Sequence, residues 1–206
     1  MEQEGIIIQE NGYDMSVAAV HSLQEECYKL RHDVFYDELG WVHENRDRLE
    51  IDQFDSFSKN VVISNKGRVN AYLRITPADK PWLLKESFSF LIDEEANQNF
   101  YESSIEVTRF AIDAESRNRK LSGRYTILDL MIKGLIKLSV ENQVKHWYVV
   151  LTKEVSILFR RRGLNCHPLG KTVVMPDGVK TLAARIDVEE FITNCQGYYL
   201  SDVALT

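Results

Sequence analysis

One stretch of the sequence constrains the fold more than any other, because residues 104–152 contain a strand, a helix and a second strand in that order. Ser104–Ile112 is typical of a strand, and His146–Thr152 is a short apolar run typical of a buried one. Between them, Gly123–Glu141 repeats apolar residues at helical spacing and predicts a helix with one buried face. That face consists of Ile127, Leu128, Met131, Leu135 and Leu138. The order predicts a right-handed βαβ crossover with parallel strands.

The remaining elements predict antiparallel strands with helices packed on them. They are a strand at Gly5–Glu10, a helix from an N-cap at Ser16 to about Asp37, a hairpin of Asn60–Ser64 and Arg68–Thr76, a short helix around Leu83–Ile92, a helix at Lys153–Arg162 and two short strands within residues 172–189. Together these elements predict an α/β protein, a three-layer α-β-α sandwich with a mixed, mostly antiparallel central sheet. Because no repeat or linker divides the chain, we expect one domain over residues 1–206.

Charge is divided unevenly along the chain. Residues 1–55 hold fourteen acidic and four basic side chains, a balance of −10, so the remainder carries +4 of the net −6. This polarity favours a cationic ligand near the N-terminal part and an acidic partner on the C-terminal part. A solvated helix face without a partner is the alternative for each cluster.

The sequence also indicates the compartment. No apolar run approaches the roughly 20 residues that a membrane helix needs, and the start, Met-Glu-Gln-Glu-Gly, is acidic where a signal peptide is basic. Cys27, Cys166 and Cys195 lack metal-ligand spacing, and an odd, sparse count argues against disulfides. We therefore expect a cytoplasmic protein with reduced thiols, no metal and no membrane partner.

Residues suited to ligand binding concentrate between positions 31 and 55. Arg31 and Phe35 are four apart and so share a helix face, and Trp41 follows the predicted helix end at Gly40. Three acids then fall within six residues, and they repel one another unless a cation lies among them. These acids are Glu50, Asp52 and Asp55. A bound sulfonium or ammonium, or Arg31 itself, would supply that charge, although each of these residues taken alone also suits a structural role.

Glu106 and Arg109 form a second charged pair on a predicted strand. In a regular strand, residues three apart point to opposite faces. The two side chains therefore share a cleft only if a bulge or a splayed strand turns one of them. Two charges on separate sheet faces, each bonded to its neighbours, are the alternative.

A longer pattern joins these residues and resembles the signature of acyl-homoserine-lactone synthases, the autoinducer synthases of bacterial quorum sensing. The pattern is Arg31-x3-Phe35-x5-Trp41, Glu50-x-Asp52-x2-Asp55, Arg74 and Glu106-x2-Arg109-Phe110, with Phe88 as a further match. The resemblance implies a fold similar to that of GNAT-type acyltransferases, with the sheet splayed into a V-shaped cleft. It also implies no cofactor and two substrates, S-adenosylmethionine and an acyl thioester on acyl carrier protein or CoA. The products would be an N-acyl-homoserine lactone and methylthioadenosine.

The resemblance further implies roles for individual residues. S-adenosylmethionine would be bound by Arg31, Phe35, Trp41, Asp52, Asp55, Arg74 and Phe88. Catalysis would use Arg109 and a general base, for which Glu50 and Glu106 are the candidates. The acyl pocket would be formed by Thr108, Met131, Leu135, Trp147, Val149 and Leu151. The acidic carrier would dock on Lys153, Arg160, Arg161 and Lys171.

The acyl group is less constrained. A hydroxyl at Thr108 would bond an oxygen on the third acyl carbon, while Val149 offers no second hydroxyl. These residues favour an unsubstituted or 3-hydroxy chain. Chain length and the choice between carrier protein and CoA stay open, and a monomer is the expected state.

Two other functions fit the composition less well. A GNAT N-acetyltransferase using acetyl-CoA would need a pyrophosphate loop, and the best match, Lys120-Leu-Ser-Gly123-Arg-Tyr125, lacks the final small residue. A nucleic-acid-binding module is disfavoured by the net charge of −6 and the missing motifs, so no nucleic-acid partner is expected.

Overall fold

The protein was analysed as a computed structural model that describes residues 5–17, 21–97, 100, 102–195 and 199. Its strands are β1 (Ile6–Glu10), β2 (Tyr13–Val17), β3 (Lys59–Asn65), β4 (Arg68–Pro77), β5 (Ser104–Ile112), β6 (Lys120–Ser122), β7 (Tyr125–Thr126), β8 (His146–Thr152), β9 (Cys166–Pro168), β10 (Val173–Val174) and β11 (Lys180–Asp187). Its helices are α1 (His21–His32), α2 (Leu83–Ser87), α3 (Glu94–Asn97), α4 (Ile127–Glu141), α5 (Lys153–Arg160) and α6 (Val188–Asn194). Shorter turns are a π-helical turn at Asp33–Glu38 and 3₁₀ turns at Gln53–Ser56 and Ser89–Leu91. The α/β class with a mixed, mostly antiparallel sheet is confirmed.

The chain divides into two compact units. The first comprises Met1–Ile75 and Arg109–Leu138, and the second comprises Thr76–Thr108 and Ser139–Thr206. Strand β5 and helix α4 each contribute residues to both units. A single domain over residues 1–206 stays a prediction.

The first unit is built on sequential antiparallel strands, β1 to β4. The β3–β4 hairpin turns at Lys66 and Gly67, both with positive φ (50° and 81°), which matches the right-handed twist of the flanking strands. The hairpin predicted from Asn60–Ser64 and Arg68–Thr76 is thus confirmed. Helix α1 and the π-helical turn pack on the strands through an apolar cluster. Its buried members are Cys27, Leu30, Val34, Phe35, Val62, Val69, Tyr72 and Ala111.

Close packing in the first unit has two consequences. Burial raises the pKa of the Cys27 thiol to about 12, so at neutral pH it is a small apolar side chain. The tight fit continues at Gly134 of α4, because a Cβ atom there would overlap the side chain of Met15 on β2. A residue with a Cβ atom at this position would therefore require the Met15 side chain to move.

The predicted helix start at Ser16 is wrong. Ser16 lies in β2 and pairs with Val62 of β3, while α1 begins at His21. Residues 18–20, which fall within the predicted helix, lie outside the described residues. Tyr13 and Met15 are both buried with a less buried residue between them, which is the period of a strand. The apolar residues from Val17 onwards fit a helical period, so the sequence pattern did not reveal the strand.

The second unit contains the predicted parallel pair. Strand β8 pairs with β5 in parallel, with Ser104 opposite His146 and Glu106 opposite Tyr148. On its other side β8 pairs with β11 in antiparallel fashion, and β9 and β10 both pair with β11. A turn at Pro176-Asp177-Gly178 joins β10 to β11, the two short strands predicted within residues 172–189, and Gly178 has φ +85°. Over the described residues, no helix combines the length and apolar character that crossing a membrane requires.

Candidate active site

Six charged side chains of the first unit close into a ring in which positive and negative charges alternate. In ring order they are Arg31, Glu50, Arg109, Asp52, Arg74 and Asp55. Each carboxylate lies between two guanidinium groups of this charge ring. Of the two ways in which the sequence allowed the three clustered acids to be balanced, the structure shows the protein's own arginines. Six predicted site residues are thus brought together.

One half of the charge ring is buried. Arg31 is 0% exposed, donates from Nη1 to Asp55 Oδ1 at 2.7 Å, and pairs with Glu50. Arg74 is also 0% exposed, lies 2.9 Å from Asp55 Oδ1 through its Nη1, and pairs with Asp52. Breaking a buried ion pair typically costs about 3–5 kcal/mol, because it leaves excess charge in the interior.

The other half of the charge ring reaches the surface. Arg109 donates from Nη2 to Glu50 Oε1 at 3.0 Å and to Asp52 Oδ2 at 2.9 Å. The side chains of Arg109 and Asp52 are 17% and 19% exposed. A ligand that approaches from water therefore meets a guanidinium suited to a carboxylate and a carboxylate suited to an ammonium group.

Opposite charges in the ring stabilise the ionised forms of Asp55, Arg31 and Arg74. Burial opposes the charge on Asp55, but the hydrogen bond and charge of Arg31, together with Arg74, hold the pKa of that carboxyl below its ordinary value. Burial likewise opposes the charge on Arg31, yet Tyr72, Glu50 and Asp55 raise its pKa above the ordinary value. The pKa of Arg74 is raised in the same way, with Asp52 its main stabilising partner.

The spacing Asp52-x2-Asp55 is explained by a 3₁₀ turn at Gln53–Ser56. The Asp52 side chain accepts the N–H of Phe54 at 2.9 Å, and the Asp55 side chain accepts the N–H of Asp52 at 2.8 Å. This reciprocal capping satisfies the first free N–H groups of the turn. The N–H of Glu50 donates to the carbonyl of Tyr28 on α1 at 3.1 Å. The loop is therefore held in place by its own backbone as well as by the arginines.

Arg109 departs from regular strand geometry. Its φ of +55° lies in the left-handed region, which a long side chain rarely adopts. The regular alternation of side chains along β5 therefore breaks at Arg109, the residue whose guanidinium completes the ring. Strain of this kind persists where the surroundings over-determine the conformation, and it concentrates at functional sites.

Two aromatic side chains adjoin the exposed half of the ring. Phe35 and Trp41 stack with ring centroids 6.3 Å apart, and the guanidinium carbon of Arg109 lies 5.5 Å from the Phe35 centroid. The π-helical turn brings the pair together, since the N–H of Trp41 donates to the carbonyl of Phe35 at 2.8 Å. Phe35 is buried, while Trp41 is 44% exposed. The pair offers a ring face to a cation beside Arg109.

Sequence reasoning missed the tyrosines around Arg31. Its guanidinium carbon lies 5.2 Å from the ring centroid of Tyr28 and 5.5 Å from that of Tyr72. The Tyr72 hydroxyl donates to Asn60 Oδ1 at 2.6 Å. In the sequence, Tyr72 is one apolar residue of a strand, so only its pairing with Val62 in the hairpin register could have indicated its place.

Two predicted site residues, Phe88 and Glu106, belong to the second unit. Phe88 packs against an apolar cluster that includes Trp82 and Tyr148. Glu106 is 0% exposed, and its carboxylate accepts the N–H groups of Leu83 and Leu84 on α2. Their places in an S-adenosylmethionine pocket and in proton transfer stay predictions.

The predicted acyl-pocket residues are all buried but fall in both units. Thr108 and three residues of β8 lie in the second unit, and strand alternation places those three on one face of β8. The three are Trp147, Val149 and Leu151. Met131 and Leu135 lie on α4 in the first unit. Their joint contribution to one pocket stays a prediction.

The predicted docking residues Lys153, Arg160, Arg161 and Lys171 are exposed, and all lie in the second unit. Helix α5 also exposes Ile157 and Leu158. Thr152 caps the helix by accepting the N–H of Val155. The α5 surface therefore combines positive charge with apolar side chains.

One group among the described residues brings three possible metal-ligating atoms within 4.8 Å of one another: His32, Asp33 and Asp37. Arg48 pairs with both aspartates, at 3.1 Å and 2.6 Å. A guanidinium thus already holds the two carboxylates, and we assign no metal there.

Known proteins resemble this chain in sequence and in fold. The acyl-homoserine-lactone synthase of Aeromonas hydrophila is 27% identical over 177 residues, which cover 85% of this chain and 85% of that protein. The crystal structure of the acyl-homoserine-lactone synthase LasI matches with a TM-score of 0.73 at 23% identity, covering 90% of this chain and 95% of LasI. BjaI, a CoA-dependent acyl-homoserine lactone synthase solved with S-adenosylmethionine and isopentyl-CoA, matches with a TM-score of 0.71 at 20% identity, covering 84% of this chain and 79% of BjaI.

The family assignment rests on a broader match. A sequence profile of the autoinducer synthases matches residues 15–194, which include all three charge-ring acids and the α5 surface. The two solved structures agree in fold with the expected GNAT-like acyltransferase. The chain therefore belongs to the autoinducer synthase family, and it is an acyltransferase of bacterial quorum sensing, as its sequence signature predicted.

Proposed function

We propose that this enzyme acylates the amine of S-adenosylmethionine from an acyl thioester and closes the product to an N-acyl-L-homoserine lactone. The observation that carries the proposal is the exposed edge of the charge ring, Arg109 with Asp52, beside the stacked pair of Phe35 and Trp41. S-adenosylmethionine has a carboxylate, an ammonium group, a sulfonium and an adenine ring. The edge offers one complementary group to each charge and an aromatic face to the sulfonium or the adenine.

The proposed reaction has two steps. The substrate amine loses a proton and attacks the thioester carbonyl, so an N–C bond forms, the C–S bond breaks and the thiol leaves. The substrate carboxylate then attacks its own γ-carbon, so a C–O bond forms and the bond to the positive sulfur breaks, releasing neutral methylthioadenosine. Holding the chain folded by its two charged ends brings carboxylate and γ-carbon together, and this proximity supplies much of the second rate.

The two predicted bases differ in how they are placed for the first step. Glu50 contacts Arg109 at the edge of the charge ring, 3.0 Å from its Nη2. We assign it to accept the amine proton through a water, because it is near the group assigned to the substrate carboxylate. Arg109 is then both a substrate ligand and the group that keeps Glu50 in position.

An acyl carrier protein is the proposed donor, since carrier proteins are acidic and the α5 surface is basic. Lys153, Arg160 and Arg161 would steer the carrier, and Ile157 and Leu158 would bury against it. A predicted cytoplasmic location is compatible with both substrates. Acyl-CoA is the alternative donor, because BjaI uses a CoA thioester.

The test is direct mass spectrometry of the products. The purified enzyme is incubated with S-adenosylmethionine and either an acyl carrier protein thioester or the same acyl-CoA. We expect equal amounts of lactone and methylthioadenosine, with the carrier thioester giving the lower Michaelis constant. Acyl transfer from acetyl-CoA to simple amines, without lactone from either donor, would contradict the proposal and indicate an N-acetyltransferase.

A further inference from the structure

Glu106 has surroundings that its predicted catalytic role does not explain. The carboxylate is fully buried, and its two oxygens accept the N–H groups of Leu83 at 3.0 Å and Leu84 at 2.6 Å. Both donors lie in the first turn of α2, whose N-cap, Trp82, provides no side-chain cap of its own. The first N–H groups of a helix have no partner within it. A carboxylate 22 residues away along the chain therefore supplies the missing cap.

We propose that Glu106 is a positioning residue that holds α2 and, through α2, Phe88, and that it is not the base of the reaction. The inference rests on the proposed function, because Phe88 matters only if it forms part of a substrate site. Glu106 and its two backbone donors, Leu83 and Leu84, together form the α2 anchor.

The burial of Glu106 argues against proton transfer. A general base must reach the proton directly or through one water, and Glu106 exposes no surface. Taking up a proton would also weaken the charge-assisted bonds to Leu83 and Leu84. In contrast, Glu50 belongs to a ring with an exposed edge at Arg109.

Backbone hydrogen bonds link the anchor to Phe88. The carbonyl of Leu84 accepts the N–H of Phe88 at 3.1 Å, so one turn of helix separates the anchored amide from the predicted substrate residue. The preceding residue is held as well, since Trp82 Nε1 donates to the carbonyl of Pro77 at 2.8 Å and its ring packs on Tyr148. Releasing the start of α2 would therefore loosen the hydrogen bond that positions Phe88.

The first test is Glu106→Gln, with Glu102→Gln as the control. Glu102 is exposed and lies just before β5. Glu102→Gln therefore makes the same chemical change at a residue outside the α2 anchor. We expect Glu106→Gln to raise the Michaelis constant for S-adenosylmethionine about tenfold, the loss of one charge-assisted bond. The acid limb of the kcat–pH profile should keep its midpoint. Amide exchange at Leu83 and Leu84 should accelerate, while Glu102→Gln changes none of these quantities.

A second test keeps the carboxylate and removes a donor. Leu83 is the first residue of α2, a position that accepts proline, and the extended backbone of Trp82 (φ −104°, ψ 138°) suits a residue before proline. Leu83→Pro deletes the N–H that faces Glu106, whereas Leu83→Ala keeps the N–H and removes more of the side chain. We expect the proline variant to exceed the alanine variant in Michaelis constant and in exchange at Leu84.

The opposite results would overturn the proposal. A fall of about 10²–10⁴ in kcat for Glu106→Gln, with the acid limb lost and exchange at Leu83 and Leu84 unchanged, would identify a base. Equal behaviour of Leu83→Pro and Leu83→Ala would also overturn it. If the unmodified enzyme makes no lactone, the proposed function is wrong, but the α2 anchor can still be tested. Unchanged amide exchange at Leu83 and Leu84 in Glu106→Gln would then refute the anchor.

Discussion

The charge ring and the α2 anchor both bury carboxylates, but they balance the negative charge in different ways. In the ring, Glu50, Asp52 and Asp55 face guanidinium groups from α1, β4 and β5. In the anchor, Glu106 faces two backbone N–H groups. Removing one side chain of the ring leaves each neighbouring charge with one partner in place of two, whereas removing the anchor carboxylate leaves helix-end donors without an acceptor. The difference teaches that a buried acid in a signature motif is not necessarily a reacting group.

The largest effect should come from Arg31→Ala, because Arg31 contacts two acids and is fully buried. Glu50 and Asp55 would each lose a cation, so we expect a loss of about 3–5 kcal/mol in the free energy of unfolding and no detectable product. Urea unfolding and a product assay measure the two effects. Arg48→Ala is the control, since Arg48 also pairs with two acids but is 62% exposed. Equal destabilisation of the two variants would mean that the ring is no more than a surface network.

Arg109→Ala should separate binding from stability. Arg109 lies at the exposed edge, so water partly replaces its lost ion pairs. The substitution relieves little backbone strain, because alanine also disfavours the positive φ of this position. We expect a loss of about 1–2 kcal/mol in stability and a fall of about 10²-fold or more in kcat/KM. Isothermal titration with methylthioadenosine and S-adenosylmethionine should show weaker binding of the carboxylate-bearing ligand only. Equal weakening for both ligands would remove Arg109 from the carboxylate site.

The charge ring and the α2 anchor also differ in how well the sequence predicts them. The ring members are side chains at motif spacing, so Arg31, Asp52 and Asp55 could be singled out without coordinates. Glu106 was singled out too, but its backbone partners leave no residue-type signal, because any residue except proline at positions 83 and 84 supplies an N–H. The sequence therefore predicts the residues of a site better than their roles.

The fold shows a similar division. The β3–β4 hairpin and the β5–α4–β8 crossover were predictable, because turn residues at Lys66-Gly67 and a strongly periodic helix are local signals. Strand β2 was missed, since its five residues adjoin the helical pattern of α1 and its identity depends on pairing with β3 across more than 40 residues. The left-handed Arg109 also has no local signal, because the contacts that impose it come from a distant loop.

A smaller effect is expected for charges that stay in water. The double change Arg160→Glu with Arg161→Glu reverses the α5 surface without touching the ring or the anchor. We expect the Michaelis constant for a carrier-bound donor to rise about tenfold at low salt, with kcat unchanged, because rim charges act mainly on association. The difference should shrink as ionic strength rises. Lys66→Glu, an equally exposed change in the β3–β4 turn, is the control; if it matched the α5 variant, or if the donor were insensitive to both, the docking surface would be elsewhere.

The smallest effect concerns the pH dependence of stability and tests the contribution of Asp55 to the charge ring. Because Arg31 holds the folded pKa of Asp55 below its ordinary value, this pairing stabilises the fold above the unfolded pKa of about 3.9, and the contribution is lost as pH falls through the lower folded pKa. Urea unfolding from pH 6 down to pH 3 should therefore show a steeper loss of stability in the unmodified protein than in Asp55→Asn, although the variant is less stable throughout. Asp79→Asn, which changes an exposed acid of the loop after β4, should keep the full slope. Parallel slopes for Asp55→Asn and the unmodified protein would mean that Asp55 does not contribute to the acid sensitivity of the charge ring.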